Sequence, residues 1–274
     1  MKKMNVLSAV AAVVLALSGC GGGGGDREVD EVLIDVPVGA WSSPDDSETV
    51  PRLRRQLFVL PPVEAGGPSD VWGLEFSVVG GGVAPQPQYL VNGQLAATAS
   101  SLAGSGRVED FTAVPSTNTA VSVTVVPNVS GSTLTVAAAD KSWSLARNPA
   151  PVAPAEDDPW TGVFESVADG GSLAVKWTLN STTLTVGDVD DDDETAGCTY
   201  AGTMTSVNHP NLADVVRVAF DSTNTDSSKK LECGDWQGMG TVSRNEVGSV
   251  EGRTLWLRSS AGKLRLVSLT LKPS

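Results

Sequence analysis

The run GDVDDDDET, Gly187 to Thr195, carries the densest chemistry in the 274-residue chain. Asp188, Asp190 and Asp192 stand one residue apart, the spacing that sets carboxylate oxygens around Ca²⁺ in an EF-hand loop. The rest of that pattern is absent. Asp193 stands sixth where glycine is needed, and Thr199 twelfth where a bidentate glutamate belongs. The run therefore reads as a solvated acidic hairpin loop, with a weak Ca²⁺ site on Asp188, Asp190 and Asp192 as the functional alternative, and no other cofactor is expected. His209 is the single histidine, which argues against zinc, and no G-x-S-x-G elbow accompanies it. "VNHPN" around it reads as a turn. The 32 Asp and Glu residues default to a solvated surface, because nothing singles out a pair for acid–base work. No catalytic residue is assigned.

A second reactive group lies near the start. Lys2 and Lys3 precede an apolar run from Val6 to Leu17, the layout of a secretory signal peptide and too short for a bilayer span. Leu17-Ser18-Gly19-Cys20 resembles the bacterial lipobox, which implies diacylglycerol on the Cys20 sulfur and cleavage just before it. Gly21 to Gly25 and the acidic residues that follow then form a flexible tether spanning roughly 20 Å, not a phosphate loop, which would need a flanking strand and helix. Gly21 stands where Gram-negative lipoproteins retained in the inner membrane carry Asp, so the outer membrane is expected.

Removing Lys2 and Lys3 with the leader takes the net charge from −13 to −15. That balance argues against nucleic acid, whose affinity comes from Lys and Arg on phosphate. With Cys20 lipidated, Cys198 and Cys233 remain as a disulfide in an oxidising compartment, closing a loop of 36 residues for about 3–4 kcal/mol. Two free thiols or a redox pair are the alternatives.

Short β-branched runs bounded by Gly, Pro, Asn, Asp and Ser predict an all-β chain. The proline-dense "RNPAPVAPAEDDP" reads as a spacer. The expected organisation is a signal peptide over 1–19, a tether over 20–31, an N-terminal β domain over 32–147, a linker over 148–159 and a C-terminal domain over 160–274. That last domain has eight strands between Trp160 and Leu271, fitting a lipocalin-like antiparallel barrel or a sandwich. In the first half, RQLFVL, SDVWGLEFSVV, QYLVNGQLAATAS, AVSVTVVP and STLTVAAADKSWSLA read as strands.

The seven tryptophans read first as core filling. Trp236, near Cys233 and followed by Gly238, is the one candidate for a ligand or partner contact. Arg52, Arg54 and Arg55 form a basic patch that reads as a solvated loop pairing with nearby acids, or as a contact for phosphate.

The order lipobox, glycine tether, "VWGLEFSVVGGG", "GSTLTV", then "CTYAGTM" to "ECGDWQGMG" and a final hairpin resembles a group of uncharacterised Gram-negative β-rich lipoproteins. The second half of these proteins carries a C-x-[FY]-x-G strand and a later cysteine. This chain departs from the group at Glu75-Phe76, where Tyr or Gly is expected, and in its acidic insert before Cys198. The resemblance implies architecture and location, not an activity. The expectation is a lipid-anchored, monomeric, non-catalytic envelope module. Its partner is the membrane through Cys20, together with an envelope protein or a small apolar ligand. A periplasmic hydrolase of glycan or peptide is the alternative.

Overall fold

A computed structural model describes residues 33–43, 52–78, 86–113, 117–149, 160–166, 175–180, 183–186, 198–224, 235–244, 250–259 and 266–273. Among them no helix is long and apolar enough to cross a membrane. The described residues are all-β apart from a 3-10 turn at Pro210–Leu212.

The first eight strands are β1 (Gly39–Ser42), β2 (Arg52–Val59), β3 (Ser69–Val78), β4 (Gln86–Ala97), β5 (Leu102–Asp110), β6 (Thr117–Pro127), β7 (Thr133–Ala138) and β8 (Lys141–Arg147). Each pairs antiparallel with its sequence neighbours, and β8 returns to β1, closing a barrel. Closure leaves no free sheet edge.

The period-2 pattern of the sequence fills this barrel. Trp41, Leu57, Val71, Val91, Leu102, Val123, Val136, Trp143 and Leu145 form one buried cluster inside it. Gly73 makes room for the largest of them, since a Cβ there would stand 2.8 Å from the Trp143 ring. The ladder slips between Glu75 and Phe76. Glu75 is buried and paired with Arg55. The basic stretch is accordingly strand β2 rather than a loop, because Leu57 and Val59 continue its alternation into the core.

The remaining strands are β9 (Trp160–Ser166), β10 (Val175–Asn180), β11 (Thr183–Val186), β12 (Cys198–Ser206), β13 (Val215–Asn224), β14 (Trp236–Arg244), β15 (Val250–Ser259) and β16 (Leu266–Pro273). They pair in a second closed ring in which β16 returns to β9, so of barrel and sandwich the topology is the barrel. Alternation again sorts the faces. Val216, Val218 and Phe220 are buried while Arg217 and Ala219 are exposed. Gly240 admits Leu255 and Val216, whose side chains would meet its Cβ at 2.2 and 2.9 Å.

The outer face of the first barrel is itself partly covered. Val38, Phe58 and Leu60 pack with Val207, Leu212, Val215 and Met239 of the second half. Leu74, Phe76 and Leu90 pack with Trp256, whose ring lies 4.9 Å from that of Phe76. The barrels thus meet through two apolar flanks.

Candidate functional site

Between those flanks lies an open groove of about 640 Å³. The first barrel contributes Asp70, Trp72, Asn92 and Gln94, and the second Arg217, Asp235, Gln237 and Arg258. The pleat explains the selection. Asp70 and Trp72 alternate with inward Val71, and Arg217 alternates with inward Val216 and Val218. Trp72 is half-buried and packs against both apolar flanks, so it lines the groove from the boundary between them.

Two ion pairs span the barrels beside the groove. Arg258 Nε donates to Glu109 Oε2 at 2.7 Å, with the Glu109 side chain 3% exposed. Arg217 Nη1 reaches Asp70 Oδ2 at 3.5 Å, with both side chains in contact with solvent. Gln94 Nε2 donates to the other Asp70 oxygen at 3.1 Å. Both Asp70 oxygens are therefore engaged.

Asp235 Oδ1 accepts from the Ser222 amide at 2.9 Å and from the Ser222 hydroxyl at 3.0 Å. The backbone hydrogen bond first, then the hydroxyl, holds its carboxyl below the usual carboxylate range. It is a fixed anion and not a proton donor at neutral pH. The groove thus offers an aromatic surface, three side-chain amides and charges of both signs, which suits a polar ligand with an apolar face.

A separate polar cluster lines one mouth of the first barrel. The Lys141 ammonium stands 3.8 Å from the Tyr89 ring centroid, near the Arg55–Glu75 pair. Burial works against the Lys141 charge, but Tyr89, Asp140 and Glu75 outweigh it and raise the ammonium above its usual value.

The residues singled out by sequence fall differently. Cys20, Cys233, Asp188, Asp190, Asp192 and linker residues 150–159 lie outside the described residues. Cys198 opens β12 opposite Asn224. Trp236 is 3% exposed, on the buried face of β14, and offers no surface to a partner. His209 caps the 3-10 turn, its Nδ1 accepting from the Asn211 amide at 3.2 Å, as a turn residue would. Asn211 in turn donates to the Val38 carbonyl of the first barrel at 3.3 Å. Among the described residues no three His, Cys, Asp or Glu side chains gather as a metal site.

Asp70, Asn92, Gln94, Arg217 and Arg258 carry no motif. The one sequence signal is the apolar series Trp72, Leu74 and Phe76 on the face opposite the inward Val71, marking a strand whose outer side is covered. Comparison with protein-family models, curated proteins and solved structures finds no match.

Proposed function

We propose that this chain is an envelope lipoprotein anchored through Cys20, resembling the uncharacterised Gram-negative group named above, and that it works as a non-catalytic binding module through its inter-barrel groove. The ligand class favoured is a glycan segment, stacked on Trp72 and hydrogen-bonded by Asn92, Gln94 and Gln237. The observation that carries this reading is the half-buried Trp72 among side-chain amides in an open groove. Sugars bind through this combination of ring stacking and directional hydrogen bonds.

A small apolar ligand inside a lipocalin-like barrel is less favoured. Large side chains occupy the first interior, and Phe220, Trp236, Leu255 and Leu257 are buried in the second. The hydrolase alternative would need a carboxyl kept protonated as general acid. The hydrogen bonds on Asp235 favour the opposite state.

A glycan array probed with the purified full chain tests the proposal, with mass spectrometry of the recovered sugars. Retention of intact glycans by the parent and its loss in Trp72→Ala, still folded at the assay temperature, is the expected result. Cleaved sugars would establish the hydrolase instead, and retention unchanged in Trp72→Ala would move the site away from the groove.

A further inference from the structure

Up-and-down strands divide the loops of the first barrel between two ends. One end carries residues 60–68, 98–101 and 128–132, together with Leu33–Val38, through which the chain joins the barrel. The Ile34 amide donates to the Thr98 carbonyl at 2.9 Å, tying that approach to the β4–β5 turn. Aliphatic side chains stand out into solvent here: Val63 is 89% exposed, Val129 fully so and Leu33 48%. Val129 sits on a constrained turn, because Asn128 Oδ1 accepts from the Ser132 and Thr133 amides at 3.1 and 3.2 Å. Val63 precedes a turn closed by the Gly67 amide on the Glu64 carbonyl at 2.9 Å. Ordered turns thus hold both valines in water.

The density of charged groups separates the two ends. Segments 33–38, 60–68, 98–101 and 128–132 hold only Asp35 and Glu64 on a chain of net charge −13. At the opposite end the connection 43–51 holds Asp45, Asp46 and Glu48, and Arg52, Arg54, Asp140 and Lys141 stand at or beside the strand ends, with Leu53 as the exposed aliphatic. An acidic body is repelled by an anionic bilayer, and the end with the fewest ions to desolvate and the most protruding aliphatics is the one that can rest on its surface.

We propose that this end, through Leu33, Val63 and Val129, rests on the bilayer that holds the lipid of Cys20. The inference depends on the anchored reading above. Thirteen residues from Cys20 to Leu33 reach at most about 45 Å. The anchor therefore supplies the effective concentration that makes a shallow contact by three aliphatic side chains stick, where free protein would leave.

The test uses the full lipidated chain in phosphatidylethanolamine–phosphatidylglycerol vesicles, with and without brominated acyl chains. Tryptophan is placed singly by Val63→Trp, Val129→Trp and Leu53→Trp, and the added emission is read against the parent. Intact mass reports the lipid on Cys20. Emission added at positions 63 and 129 is lost in brominated vesicles, and that added at position 53 is retained. With lipid present, retained emission at 63 and 129, or loss at 53, overturns the membrane-facing end and leaves the anchor standing. A chain without the lipid mass overturns the anchor and this inference together.

Discussion

The two apolar flanks of the barrel interface and the groove between them are built from the same strands, yet they do opposite things with water. On one flank Trp256 is 2% exposed against Phe76 and Leu90, and the Glu109–Arg258 pair seals its edge. In the groove, Arg217 and Asp70 make a similar-looking pair with both partners wet. Identical ion-pair chemistry therefore holds the barrels together at one place and merely borders an open groove at the other. Burial decides which role a pair has.

The sharpest test of the sealed flank is Trp256→Ala. Deleting a buried indole costs about 3–5 kcal/mol, read by urea denaturation of the full chain. A loss of under about 1 kcal/mol would mean that the flank contributes little to holding the fold. Next comes Glu109→Gln, which leaves the Arg258 charge facing a neutral amide. The expected loss is about 3 kcal/mol, at the low end for breaking a buried pair because Arg258 retains solvent contact. The smallest effect belongs to Arg217→Ala, under about 1 kcal/mol in the same assay. Its consequence should appear in glycan retention, and a stability loss matching that of Glu109→Gln would erase the distinction between flank and groove.

Much of this architecture is legible in the sequence, and its gaps have physical causes. Strands β12 to β14 stand within a few residues of where alternation puts them, because one face is buried and the other wet. Strand β5 lies outside the runs that read as strands, since Gly104 and Gly106 lower its apparent propensity. The same glycines let it fit, as a Cβ on either would come within 2.4 Å of a neighbouring carbonyl. STLTVAAADKSWSLA reads as one run but folds as β7 and β8. Its turn uses Ala139 at φ 53° in place of the glycine that would announce it. The groove is less legible for a different reason. Its ion pairs join residues 149 and 147 positions apart. No local window contains both partners, and each half alone shows only ordinary surface charge.

The closing strands of the two barrels differ in a way that bears on how the molecule would come apart. Strand β1 meets β8 through only two register pairs, Trp41 with Arg147 and Ser42 with Ala146, whereas β9 and β16 share seven. Unzipping the first ring at that short seam would bare two strand edges at once and uncover Trp41. Two chains crowded on one surface would then be positioned to exchange β1, so the seam is where domain swapping and aggregation would begin.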